Sequence, residues 1–265
     1  MDPSLHLTHP GPFGDAVARD VFDEAVPRSA RVRRTRACTT WHHRAMGQVE
    51  SVNVAEPRRV AAKSGTSGID KRAVSVRVAV RPPGPKPDGE GSGLVGDTVW
   101  HRDHHGGDDQ AVYAYAREDL AWWEPQLDAE LRCGQFGENL TTVGVDVTQA
   151  LIGETWRIGP QLVLQVTNPR IPCGTFQTWM DRPGWVKTFA VAARPGAYLR
   201  VLTAGDVGAG DSIVVSRPDH EVTVGMVFRA ITREPGLLPQ LLTAEEHLTE
   251  DVRLRARNRE PFPGF

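Results

Sequence analysis

Alternation of apolar and polar positions is the dominant signal along this chain. It is clearest in "QVESVNVA" (48–55), "AVSVRVAV" (73–80), "ETWRIG" (154–159) and "QLVLQVTN" (161–168), with turn residues between the runs. In the last run Leu162, Leu164 and Val166 share one face, while Val163 and Gln165 take the other. That period of two predicts a strand with one face in a core.

A period near 3.6 replaces it in two regions. "REDLAWWEPQLDAEL" (117–131) places Leu120, Trp123 and Leu127 on one helical face, with acids near its start. The segments "TVGMVFRAIT", "LLPQLLTAEE" and "LTEDVRLRARN" predict a cluster of short helices over 220–260, with Val224, Val227, Phe228 and Ile231 as one apolar stripe. The Pro/Gly-rich stretch 81–97, "RPPGPKPDGEGSGLVGD", reads as a loop between strands. Residues 1–46 carry no sustained period and hold the basic run "RSARVRRTRAC", which reads as a disordered extension. Strand-like alternation begins at Met46, and the expectation is that the natural start lies there.

Composition narrows the function classes. With 265 residues and a formal net charge of -2, the chain has no global attraction for nucleic acid or an anionic membrane, so an anionic ligand must be held by local groups. No apolar run is long enough to span a bilayer, and the expected location is the cytoplasm. Cys38, Cys133 and Cys173 are widely spaced with no CxxC pair, which argues against a disulfide framework and a structural zinc site.

Three stretches carry candidate chemistry. In "NPRIPCGTF", Pro169 and Pro172 stiffen the chain before Cys173, and Gly174 permits a positive φ or a close backbone approach. Arg170 stands three residues from the thiol, where a cation favours the thiolate and a planar fork suits an anion. In "WHRDHHGGDDQAVYAY", His101, His104 and His105 with Asp103, Asp108 and Asp109 read either as metal ligands or as a polar pocket wall, and Gly106-Gly107 permits a sharp turn. In "CGQFGENLTTVGV", Glu138, Asn139, Thr141 and Thr142 follow Gly134 and Gly137, and read either as a plain turn or as polar groups presented to a ligand. No G-x-S-x-G, P-loop or placed G-x-G-x-x-G occurs.

Taken in order, "GLVGD", "HHGGDDQAVYAY", "GQFGENLTT", "IGETWRIG", "NPRIPC" and "GWVKTFAVAARPGAYLRVLTAGDVGAGD" resemble a MOSC domain, the module named after the C-terminal domain of molybdenum cofactor sulfurase, and in particular its YiiM-like branch. The resemblance implies a mostly β, barrel-like fold with flanking helices over 47–217, followed by a small helical subdomain over 218–265. It also implies that the pocket receives the molybdenum cofactor, with Cys173 as metal ligand or sulfur carrier. Arg170 and the loops of Gly106, Gly107, Gly137, Asn139 and Thr141 would hold the pterin phosphate, and His104, His105 or Glu138 would manage protons. The implied activity is reduction of N-hydroxylated small molecules with electrons from an external flavin or iron–sulfur partner. A persulfide carrier, a non-catalytic cofactor module, pyridoxal phosphate binding at the family level and a homodimer stand as alternatives or additions. Gln110 occupies a position where relatives often carry a basic residue.

Overall fold

The computed structural model describes residues 47–55, 58–59, 65–86, 88–100 and 102–265. The N-terminal extension with Cys38, and His101, lie outside them. The alternating runs become the strands of one sheet: β1 Gly47–Ala55, β2 Lys71–Val74, β3 Val112–Ala116, β4 Leu140–Val143, β5 Thr155–Ile158, β6 Leu162–Pro169, β7 Ala197–Thr203 and β8 Ser212–Ser216. Seven of them follow the order β8-β5-β6-β7-β3-β4-β1, and β1 returns to β8 through Gly47↔Ile213 and Gln48↔Ser212, which closes a barrel. Closure removes the open edges a sheet would otherwise expose. Strand β2 pairs with the far end of β1, outside the ring. Among the described pairings only β3 with β4 is parallel, and the connection between them carries helix α1, Arg117–Leu127, as a parallel crossover requires.

Leu162, Leu164 and Val166 are fully buried, as their shared face predicts, together with Val49, Val52 and Ile213. A second core lies against the barrel. Among its aromatic members, Tyr115, Trp123, Phe136, Phe176, Trp185 and Phe189 come from β3, α1, the 134–138 turn, and helices α2 (Gly174–Met180) and α3 (Trp185–Ala192). Phe136 meets Phe176 edge to face with centroids 5.3 Å apart, and Phe189 at 6.0 Å. Such pairs are each worth about 0.5–1.5 kcal/mol beyond their buried area. The cluster therefore fixes the two segments that flank Arg170.

Several local expectations change. The run 73–80 is not one strand: β2 ends at Val74, and Val78–Val80 pairs instead with Gly205–Val207 in a separate ribbon. Arg77, at the break, forks onto Asp211 at 2.8 and 2.9 Å. The segment around 237–246 is a 3-10 helix over Pro235–Ala244, because Pro239 supplies no N–H to an α-helical ladder. Helices α2 and α3 arise where no helical pattern was read. Helices α4 (Val224–Thr232) and α5 (Glu250–Asn258) follow the sequence pattern, and Thr223 caps α4 by accepting the N–H of Met226 at 3.0 Å.

Candidate active site

A cleft of about 530 Å³ opens where β6 ends. Its walls bring together three segments far apart in sequence: His104, His105 and Gly106; Gly137 and Asn139; and Arg170 with Cys173. Lys71, Tyr113 and Tyr198 also line it.

Cys173 is half-buried and is the residue from which α2 starts; its carbonyl accepts the N–H of Gln177 at 3.0 Å. Gly174, the first residue of that helix, has no positive φ and open space around it, so the close approach expected there does not occur. The proline-stiffened approach sets the thiol at a strand-to-helix corner beside Arg170.

Arg170 is 7% exposed. Its guanidinium stacks 3.7 Å from the Phe176 ring and 5.4 Å from that of Tyr113, and it donates to the Phe136 carbonyl. No ion pair joins it to a carboxylate among the described residues. It stays cationic, although burial opposes the charge. Burial, first, also pushes the Tyr113 and Tyr198 phenols above their ordinary range, so both are neutral donors. Tyr113 spends its hydroxyl on the Pro195 carbonyl at 2.8 Å.

Lys71 is the second cation of the lining. It grips Asp97 with 2.6 Å contacts to both oxygens. Asp97 also accepts from Ser92 at 2.6 Å, Asn139 Nδ2 at 2.9 Å and the Ala55 N–H at 2.7 Å. Burial works to raise this carboxyl, but the Lys71 charge and these donors outweigh it and hold it below the ordinary aspartate value.

Other residues singled out by sequence sit elsewhere or are already engaged. Glu138 has no exposed surface and does not line the cleft: it accepts from the N–H groups of Gly134 at 2.6 Å and Phe136 at 3.0 Å and from the Thr141 hydroxyl at 3.0 Å. Burial pushes its carboxyl above the ordinary glutamate value despite those bonds. Thr141 is buried between Glu138 and Asn53. The N–H groups of Gly107 and Gly137 bond to Gly91 and Gly134, both at 3.0 Å, so neither can hold an anion. Asn139 reaches the cleft wall, but its amide braces Asp97 and accepts the Tyr113 N–H at 3.1 Å. The carboxylates of the histidine loop are dispersed too: Asp108 accepts the Gly84 N–H and Asp109 pairs with Arg200 at 2.7 Å. Among the described residues no three His, Cys, Asp or Glu side chains are placed to hold a bare metal ion. Gln110 Oε1 is buried and unpartnered in the wall. Cys133 does not line the cleft.

Sequence reasoning missed Lys71, Tyr113 and Tyr198. Tyr113 and Tyr198 lie inside strand patterns, and the charged triplet Asp70-Lys71-Arg72 in "GIDKRAV" does not single out Lys71.

A model of the MOSC domain matches residues 101–214. The uncharacterized protein YflK of Bacillus subtilis (strain 168) is 30% identical over 217 residues, covering 81% of this chain and 92% of YflK. Protein YiiM of Escherichia coli (strain K12) is 31% identical over 135 residues, 50% of this chain and 60% of YiiM. A protein named Reductase from Gibberella moniliformis is 30% identical over 131 residues, 48% of this chain but only 23% of its own length. Among solved structures, YiiM from Geobacillus stearothermophilus superposes with a TM-score of 0.64 at 25% identity, over 80% of this chain and 98% of that one.

Proposed function

The chain belongs to the MOSC domain family, and from that premise we propose that its cleft holds a molybdenum cofactor beside Cys173 and reduces N-hydroxylated small molecules with electrons from a separate flavin or iron–sulfur partner. The observation that carries the reading is Arg170: a buried guanidinium with no carboxylate partner among the described residues, next to a half-exposed thiol in a ligand-sized cleft. A buried charge left unpaired is costly, so the site is built for an anion.

In this reading Arg170 binds the anionic part of the ligand through its free donors, and Lys71, oriented by Asp97, adds a second positive charge to the wall. Cys173 supplies the thiolate. Tyr113 and Phe176 bracket the guanidinium and keep water from it. When bound, the cofactor supplies two-electron redox chemistry. Reducing a hydroxylamine to an amine and water consumes two electrons and two protons, and His104 and His105 are the lining groups suited to carry those protons. The relative named Reductase supports the reaction class.

The test is Cys173→Ala purified from a host that makes the cofactor, assayed for molybdenum by elemental analysis, for released pterin by fluorescence and for reduction of an N-hydroxylated purine. We expect metal and activity both to fall by at least about tenfold. A variant that keeps its metal and its turnover would overturn the reading. Persulfide on Cys173 of the wild-type protein, without molybdenum, would favour sulfur transfer instead.

A further inference from the structure

Where the chain leaves the barrel for its C-terminal helices, one imidazole is held at both nitrogens. Residues 148–152 and 222–225 run side by side, with Ile152 N bonded to Val222 O at 3.0 Å, Val224 N to Ala150 O at 2.9 Å and Gly225 N to Thr148 O at 2.8 Å. His220 stands at the head of this seam. Its Nδ1 accepts the N–H of Val222 at 3.1 Å, and its Nε2 lies 2.9 Å from the Ile152 carbonyl. A neutral ring with its proton on Nε2 satisfies both contacts. A protonated ring carries N–H groups on both nitrogens, so it would point a donor at the Val222 donor and lose that bond.

The second imidazole, His247, comes from the helical segment, with its ring centroid 5.4 Å from that of His220. It fills the space over Gly153, where a Cβ would fall 2.5 Å from the ring. The charged groups around the pair are Glu221 on the seam, Glu154 with Arg217 at 3.0 Å on the barrel side, and Glu246 with His247 at 3.4 Å on the helical side. Glu154 is already committed to Arg217, Trp156 and the Leu151 N–H.

We propose that His220 is an acid-sensitive latch on this seam: the neutral ring holds the Val222 N–H and so orients the carbonyl that receives the Ile152 N–H, and protonation opposite His247 removes that acceptor and loosens the Val222 end of the seam, while the Ile152 carbonyl keeps its donor. Burial, first, and His247 hold the His220 pKa below its ordinary 6.5, while the Ile152 carbonyl, Glu221 and Glu246 pull the other way without overcoming them. The sign follows: a depressed folded-state value means the latch is intact above 6.5 and weakens as pH falls through the folded value. The appendage contributes Ile231, Thr249 and Phe262 to a second cavity of about 740 Å³, whose wall shares His104, Gly106 and Gln110 with the Cys173 cleft. Loosening the seam therefore alters the surroundings of that cleft, whichever reaction it carries.

Hydrogen exchange of the full chain, corrected for the intrinsic pH dependence of exchange, tests this between about pH 7.5 and about pH 5. We expect protection over residues 235–258 to fall by about tenfold relative to β6 in the wild-type protein. It should stay flat in His220→Gln, which keeps a donor for Ile152 and does not titrate. An unchanged wild-type ratio, or a variant that follows the wild type, would overturn the proposal. If His220→Gln folds poorly, a proton NMR titration of wild-type His220 decides: titration below 6.5 with a concurrent shift of the Val222 amide supports the latch, and titration at or above 6.5 removes it.

Discussion

Two carboxylates are buried on either side of Asn139, and burial alone does not decide their character. Asp97, directly behind the cleft residues Lys71, Ser92 and Asn139, has a fully buried side chain and is gripped by the Lys71 ammonium. Glu138, behind the wall, is equally buried but meets only neutral donors, from Gly134, Phe136 and Thr141. Their pKa values move in opposite directions, Asp97 down and Glu138 up. One formal positive charge outweighs the desolvation that neutral hydrogen bonds fail to overcome. The difference also separates roles. The pair that touches the cleft keeps its charge and holds a cation at the surface of the site, whereas Glu138 braces the 134–138 turn whose carbonyl at Phe136 receives Arg170.

The most severe way to break this comparison is to remove the Asp97 charge. Asp97→Asn leaves Lys71 partnerless in a mostly buried position and should cost about 3–5 kcal/mol in urea unfolding, since an uncompensated buried charge is the expensive outcome. A loss below about 1 kcal/mol would mean that Lys71 swings into the cleft and finds water, and the ion pair would then not be what holds the wall. Glu138→Gln is gentler. One of the two N–H donors, from Gly134 or Phe136, must then face the new amide nitrogen, at a cost of about 1–3 kcal/mol. Because the turn carries the Phe136 carbonyl, the variant should also weaken ligand binding at Arg170 slightly, without removing any group of the cleft.

Several strands of the barrel were legible because strands with one buried face repeat every two residues, as Leu162, Leu164 and Val166 do, whereas their closure into a barrel followed from the family resemblance alone. The ion pair was not legible. Lys71 and Asp97 are separated by the long 81–97 loop, and nothing in either local pattern announces a partner so far along the chain. Glu138 misled for the opposite reason: a carboxylate beside Asn139 in a glycine-rich turn has the composition of a site, and only the positions of the Gly134 and Phe136 amides reveal a brace. Helices α2 and α3 escaped notice because each is only about two turns long, Gly174–Met180 and Trp185–Ala192, too short for a helical period to stand out, and the aromatic cluster decides their conformation. Cys173 and Arg170 were readable because their proline-bracketed segment is short and its local constraints set the corner.

The smallest expected effect sharpens the comparison most, because it depends on sign. Below 3.8, the unfolded-state value of Asp97, the stabilisation from the Lys71 pair is lost as pH falls through the lower folded value; above 3.8 it is fully present. For Glu138 the order reverses: its folded value lies above 4.5, so its contribution is complete below 4.5 and is lost as pH rises through the folded value, when the unfolded state ionises first. Unfolding free energies of the wild type and the two variants, measured from about pH 6 down to about pH 3, isolate each group because the other titrating residues cancel in the differences. The gap between wild type and Asp97→Asn should narrow with acid, while the gap between wild type and Glu138→Gln should widen, each by on the order of 1 kcal/mol. Gaps that move in the same direction would show that the charge of Lys71 does not distinguish the two sites, and that burial governs both carboxylates alike.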